Sequence, residues 1–481
     1  MLRIIQTSSV AQAKSYYTSG LAREDYYAEG QECVGRWGGM GAQRLGLDGR
    51  VDAQSFAALC DNQHPVTGQR LTARSKADRT VGYDFNFHAP KSVSVAYELT
   101  RDERVAEAFR QSVDETMRQM ETEVRTRVRK GGTNAERTTA NLTWATFEHH
   151  TARPVNGLPD PHLHEHVFVF NATYDATEMK WKAAQFRELK RDAPYFEACF
   201  HSRFAGRLKE LGYAIERTNQ GWEISGVPDS VTEKFSRRTL QIEAEAKRRG
   251  LTDDRLKDGL GAKTRERKST DLTRSELRKE WISRLSAPER AAVATAHRPT
   301  KSPRTPTVTA EQAREHAEQH HFERVSVVDE RTFLRTALRY GVGSVSIEAA
   351  HDELHSSSLI RKPRDERTLV TSREVLHEEQ SLLAYARDGR GTCKPLTTKD
   401  QTVQRTFLSA EQQAAVRHVW SSTDRVTAIR GAAGVGKTTL MTETVEGIEA
   451  HGKRVYTFAP SAQASRGVLR QEGFAKAETV A

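Results

Sequence analysis

The chain has 481 residues, 37% of them hydrophobic, with 74 lysines and arginines against 64 acidic residues, a net charge of +10 and a pI near 9.4. That length implies two or three domains, each able to bury a core, and the charge suits a polyanionic partner, because Lys and Arg contacts to phosphate supply most non-specific nucleic-acid affinity. Cys33, Cys60, Cys199 and Cys393 are scattered without a Cys-x-x-Cys spacing, which argues against a disulfide framework or a zinc finger. With no signal-like N-terminus and no run of about 18 apolar residues, a soluble, cytoplasmic protein with no membrane partner is expected.

In chain order, the first feature is a group of tyrosines. Ser15-Tyr16-Tyr17 and, after Gly20, Asp25-Tyr26-Tyr27 hold four of the 12 tyrosines. On an uninterrupted helix Tyr27 would lie within about 20° of Tyr16 and Tyr26 about 80° away, but Gly20 is expected to break such a helix. Val105 to Met120 carries apolar residues at helical spacing and predicts a helix covering one face of a sheet. Leu142-Thr-Trp-Ala-Thr-Phe147 is β-prone and leads into His149 and His150.

The densest chemistry follows in Asp160-Pro-His-Leu-His-Glu-His-Val-Phe. In an extended segment alternate side chains share a face, so His164 and His166 point one way and Leu163, Glu165 and Val167 the other. A third imidazole, from His149 or His150, would arrive on an antiparallel neighbour. Three neutral imidazoles suit Zn²⁺, Mn²⁺ and related divalent ions and leave positions for a substrate oxygen. A tyrosine beside such an ion is a device for cutting DNA while keeping the broken end attached. His88 and His162 read as polar surface or as neighbours of the site, not as ligands.

Beyond residue 245 the chain becomes charged and poor in aromatics, ending in His297-Arg-Pro-Thr-Lys-Ser-Pro-Arg-Thr-Pro306, and reads as solvated helix followed by linker. His316, His320 and His321 fall on a polar helical stretch and read as surface residues. Near the C-terminus, Val426-Thr-Ala-Ile-Arg-Gly431 predicts a strand leading into Gly431-Ala-Ala-Gly-Val-Gly-Lys-Thr-Thr439, the phosphate-binding loop pattern. Backbone amides at Gly431, Gly434 and Gly436 would cradle phosphates, Lys437 would reach the β and γ groups and Thr438 would hold Mg²⁺. Arg454 to Pro460 predicts a further strand.

Several of these motifs, in this order, resemble the N-terminal domain of MobF-type conjugative relaxases. The match runs from Tyr16-Tyr17 and Tyr26-Tyr27 through Trp37-Gly-Gly-Met-Gly-Ala42, Gly82-Tyr-Asp-Phe-Asn-Phe-His-Ala-Pro-Lys-Ser-Val-Ser94, His149 and Asp160 to His166, and closes on Leu211 to Arg217 and Trp222 to Pro228. The resemblance implies an α+β relaxase domain with an antiparallel sheet and a His-hydrophobic-His metal site at 1–245. It implies Tyr16 as first nucleophile, Tyr26 (with Tyr27 as the alternative) as second, and His149, His164 and His166 as ligands of Mg²⁺, Mn²⁺ or Zn²⁺, with His150 competing for His149's role. Asp84 would orient a ligand histidine and help activate the nucleophile.

Val155-Asn-Gly-Leu158 stands as an insertion relative to the family. The implied activity is strand-specific cleavage of single-stranded plasmid-origin DNA through a 5′-phosphotyrosine, with relaxosome accessory proteins and a coupling protein as partners. A rolling-circle initiator or transposase of the same chemistry, and an inactive DNA-binding remnant, are the alternatives. The remaining segments, 246–310 basic helical region and linker, 311–400 small accessory domain and 401–481 incomplete α/β P-loop segment, resemble the start of a RecD-like superfamily 1 helicase. Leu408-Ser-Ala-Glu-Gln-Gln-Ala-Ala-Val416 is similar to its adenine-reading motif. Without a second acidic motif, ATP/Mg²⁺ binding is expected to be unproductive in a truncated motor, and no unwinding is expected.

Overall fold

The computed structural model describes residues 2–16, 35–73, 79–219, 221–251, 272–298, 307–432 and 434–480. They divide into two compact units, Met1–Thr371 and Ser372–Ala481.

The first unit is built on a five-stranded antiparallel sheet. Its strands are β1 (Arg3–Thr7), β2 (Arg36–Gly38), β3 (Gly82–His88), β6 (Trp144–Thr151) and β7 (Pro161–Phe170), in the order β1-β3-β7-β6-β2. A hairpin, β4 (Arg125–Lys130) and β5 (Thr133–Thr138), whose first strand also pairs with Ala184–Gln185, turns at Gly131-Gly132, both with positive φ (58° and 80°). Two adjacent residues at φ > 0 make the tight turn that matches strand twist, and glycine adopts it without strain.

Period-two alternation sorts the sheet's side chains into two cores. On β7, Leu163, Val167 and Val169 enter one core, while Phe168 and Phe170 enter the other. The first face is covered by α4 (Lys91–Thr100), α5 (Glu103–Glu121) and the helix Ala193–Glu210. Helix α5 buries Val105, Phe109, Val113, Met117 and Met120, the helical spacing expected from sequence, and Asp102 caps it by accepting from the Arg104 amide. The second face is covered by α1 (Val10–Tyr16), α2 (Met40–Arg44) and α3 (Ala53–Cys60), through Ala13, Ala42, Phe56 and Leu59.

The packing continues past residue 245. Helices Arg274–Ser283 and Ala287–Ala294 bury Leu277, Trp281 and Val293 in the first core, and the helix Glu330–Tyr340 adds Phe333, Leu334 and Leu338 to it. The described part of 246–310 therefore supplies core instead of a solvated face. Leu277 and Trp281, one turn apart on the first of these helices, together with Leu285 in the connection and Val293 on the second helix, outweigh the charged average around them. Residues 311–371 likewise share this core and form no compact unit of their own.

The second unit has the helix Arg373–Asp388, which buries none of its residues, and the helices Ala410–Ser421 and Lys437–Glu449, which pack on a small core of Leu408, Val416, Trp420, Leu440 and Ile448. Here two sequence expectations are corrected. Val426–Gly431 is not a strand, and of Arg454–Pro460 only Phe458–Ala459 is one, paired in parallel with Glu478–Thr479. A central parallel strand requires laddered neighbours, and among the described residues none pairs with 426–431. No described helix is long and apolar enough to cross a membrane.

Candidate metal centre

Register brings the histidines together. In the β6–β7 ladder His149 stands opposite His164 and Phe147 opposite His166, and in the β3–β7 ladder His88 stands opposite His164. Alternation puts His149, His164, His166, His88 and Asp84 on the face covered by α1 to α3. The rings of His149, His164 and His166 form a near-equilateral triangle, with all three centroid separations at 5.3 Å. Imidazole nitrogens at about 2.0–2.1 Å from one tetrahedral ion place ring centroids about 5.2 Å apart. The centroid spacing of the three rings is close to that value.

Neighbouring groups orient the rings. His166 Nδ1 lies 2.9 and 3.1 Å from the two Asp84 carboxylate oxygens, and His164 Nδ1 lies 2.9 Å from the His162 carbonyl. Both partners accept hydrogen bonds, so each Nδ1 carries the proton, which fixes the tautomer and orientation of each ring. Burial, reinforced by the surrounding imidazoles, holds His164 and His88 well below the ordinary histidine range, which favours their neutral form. His88 Nδ1 sits 2.9 Å from His162 Nε2, and the His88 ring stacks against His164. These two extra histidines therefore adjoin the triangle, as expected.

His150 faces the other way. Its ring packs against Tyr97 at 5.5 Å, and its nitrogens approach Glu98 at 3.6 Å and Glu148 at 3.4 Å, beneath the opposite side of the sheet. Tyr16 is the last residue of α1, the helix on the histidine face. Tyr17, Tyr26 and Tyr27 lie outside the described residues.

Two features escaped the sequence reading. The β4–β5 hairpin carries Arg125, Arg127 and Arg129 on one face, the last two exposed; the alternation in Arg125-Thr-Arg-Val-Arg-Lys130 was the available signal. The other is a group of donor side chains within mutual reach, Glu330, His351 and His355. There, however, Arg361 binds the Glu330 carboxylate through a two-nitrogen fork at 2.9–3.1 Å, so its only carboxylate is already neutralised.

In the second unit Gly434 and Gly436 take φ of 77° and 79° ahead of the helix that begins at Lys437. Lys437 Nζ donates to the Gly431 and Ala432 carbonyls at 2.9 and 2.6 Å, which holds its ammonium group against the start of the loop. Gln412 Nε2 donates to the Val435 carbonyl at 2.9 Å and ties the Leu408–Val416 segment to this loop.

The family model described as TrwC relaxase matches residues 10–288, more than half of the chain. The chain belongs to the TrwC relaxase family. The multifunctional conjugation protein TraI of Escherichia coli is 35% identical over 253 residues, which are 50% of this chain and 14% of that protein, so the chain spans only a small part of this relative's length. Among solved structures, a conjugative relaxase TrwC in complex with oriT DNA superposes with a TM-score of 0.53 at 30% identity, covering 59% of this chain and 97% of that one. A metal-bound TrwC structure with oriT DNA gives 0.52 at 28% identity, covering 61% and 97%. This family's relaxase fold accounts for the antiparallel sheet described above. An AAA domain model matches residues 407–481, the segment with the glycine-rich loop.

Proposed function

We propose that this protein is a conjugative relaxase, which cleaves one DNA strand at a plasmid transfer origin by tyrosine transesterification. The observation that carries this reading is the triangle of His149, His164 and His166 with Asp84 behind it, on the sheet face that α1 covers and where α1 ends at Tyr16. These histidines would hold a divalent ion, which supplies Lewis-acid polarisation of the scissile phosphate's non-bridging oxygens.

The chain's own groups do the rest. The Tyr16 oxygen, a phenol with ordinary pKa near 10, attacks phosphorus as its proton leaves. The P–O3′ bond breaks and the departing 3′ oxygen takes up a proton through solvent in place of the one the phenol lost, so the products are a 5′-phosphotyrosine and a free 3′-hydroxyl. One phosphodiester is exchanged for another, so strand rejoining requires no nucleotide hydrolysis. Asp84 holds His166 in a fixed tautomer and adds negative charge behind the centre. Tyr26 performs a second transfer that closes the processed strand.

Arg127 and Arg129 on the exposed hairpin offer phosphate contacts that position DNA without reading its sequence. Support for a DNA substrate comes from the TrwC relatives, which were solved with oriT DNA. In the second unit, Gly431, Gly434, Gly436, Lys437 and Thr438 form the nucleotide-binding loop of a helicase-like segment.

The test is to incubate the purified chain with single-stranded origin DNA and Mg²⁺ or Mn²⁺, then digest and map the cross-linked peptide. A DNA adduct on the peptide containing Tyr16, formed only with metal, is expected. Absence of any adduct with origin DNA would overturn the reading.

A further inference from the structure

The chain segment that delivers His164 and His166 is clamped from outside the sheet, and the clamp's residues come from three separate helices. Asp160, only 2% exposed, precedes the strand. Its carboxylate accepts from the Arg237 backbone amide at 3.2 Å, from Arg237 Nε at 2.8 Å and from an Arg284 guanidinium nitrogen at 2.9 Å. The backbone carbonyls on either side are also engaged. Arg237 donates to the Leu158 carbonyl at 2.8 Å, the fully buried Trp281 indole to Pro159 at 2.9 Å, and Lys91 Nζ to Pro161 at 2.7 Å. Upstream, Asn156 and Gly157 form a two-residue turn with φ of 54° and 76°, closed by the Val155–Leu158 bridge.

A loop carrying a turn of this kind would ordinarily be free to shift along its strand axis. A slip of one residue would move His164 and His166 to the opposite face. Here four consecutive residues, 158–161, are tied by charged or indole donors, three of which belong to residues beyond 230, with Trp281 among them in the core shared with the sheet. Lys91 belongs to the same arrangement: burial lowers its pKa to about 8, opposed by Asp160 and Glu223.

We propose that Asp160, Arg237, Trp281 and Arg284 are positioning residues for the three-histidine centre, setting the height and register of β7 so that His164 and His166 meet His149. This rests on the relaxase reading of the centre. None of the four touches the ring triangle; each acts through the backbone that carries it. The helices around Arg237, Trp281 and Arg284 are then part of the catalytic apparatus in a mechanical sense, although no side chain from them reaches the reacting atoms.

The experiment uses the full chain. Asp160→Asn keeps the shape and removes the charge that gathers two guanidinium groups, and Trp281→Phe removes one hydrogen bond while keeping an aromatic ring in the core. Mn²⁺ affinity is measured by electron paramagnetic resonance, and kcat and KM by nicking of an origin oligonucleotide. The control is Asp192→Asn, which breaks a comparably buried ion pair with Arg331 in the same unit, away from β7.

Asp160→Asn is expected to weaken Mn²⁺ binding roughly tenfold, the effect of losing an outer support of a metal site, and to lower kcat with KM for DNA unchanged. Excess Mn²⁺ should restore part of the rate. Trp281→Phe should shift both in the same direction by less. Asp192→Asn should lower the melting temperature while leaving Mn²⁺ affinity as in the wild type. Equal Mn²⁺ affinity in Asp160→Asn and wild type, or an equal loss in Asp192→Asn, overturns the proposal. A wild-type chain that binds no Mn²⁺ would instead overturn the relaxase reading on which it rests.

Discussion

His149 and His164 stand directly opposite one another in the β6–β7 ladder, with ring centroids 5.3 Å apart and planes inclined by 26°. That pairing decides which of two adjacent histidines can join the His164–His166 pair, because the neighbouring position on β6 faces the other core. His149→Ala is expected to lower metal affinity by at least tenfold, whereas His150→Ala should leave it within twofold of wild type. Isothermal titration with Mn²⁺ or Zn²⁺ measures both, and the reverse order would move the ligand role to His150.

Asp84→Asn isolates the carboxylate's charge. Asparagine's oxygen can still accept from His166 Nδ1, so the ring stays in place, but the negative charge that raises its basicity is gone. Metal affinity should fall about 10-fold to 100-fold, the range for an outer-shell carboxylate, and cleavage should fall with it at subsaturating metal. Unchanged metal affinity in this variant would show that Asp84 does not act through the ion.

Tyr16→Phe removes one oxygen. The first covalent adduct should be lost, with binding of uncut DNA retained, because basic contacts supply most of that affinity. Tyr26→Phe should spare initial cleavage and slow strand transfer to a second oligonucleotide. Gel-resolved adduct and transfer assays distinguish the two roles, and wild-type adduct formation by Tyr16→Phe would assign the nucleophile elsewhere.

His201 gives a pH signature unconnected to the metal centre. Burial lowers its pKa to about 4, against an ordinary 6.5, and its Nδ1 accepts a hydrogen bond from the Trp222 indole at 3.1 Å. Between pH 6.5 and 4 the unfolded chain takes up a proton that the folded chain refuses, so this residue's contribution to stability is lost as pH falls through that window. The loss is on the order of 3 kcal/mol. His201→Asn retains an acceptor without the titration. Urea unfolding at pH 7 and pH 4.5 should show a smaller decline for the variant than for wild type, and parallel declines would count against this assignment.

Much of the site was legible before the fold was known. A period of two is enough to put His164 and His166 on one face, the spacing from Val105 to Met120 is enough to specify α5, and Gly431 to Thr438 announces a phosphate loop, because each depends on neighbours within a few residues. The choice between His149 and His150 was not local. Both follow the same strand, and only the register against β7 separates them. Trp281 and Leu277 were hidden for a related reason: they sit in a segment whose average is charged, and their burial depends on a core assembled by residues far away in sequence. The strand expected at Val426–Gly431 did not form for the converse reason, since a parallel strand exists only through its ladder partners. Sequence alone determined which residue types could do chemistry; tertiary structure decided which of them meet, because register and long-range packing are properties of pairs of segments and not of either one.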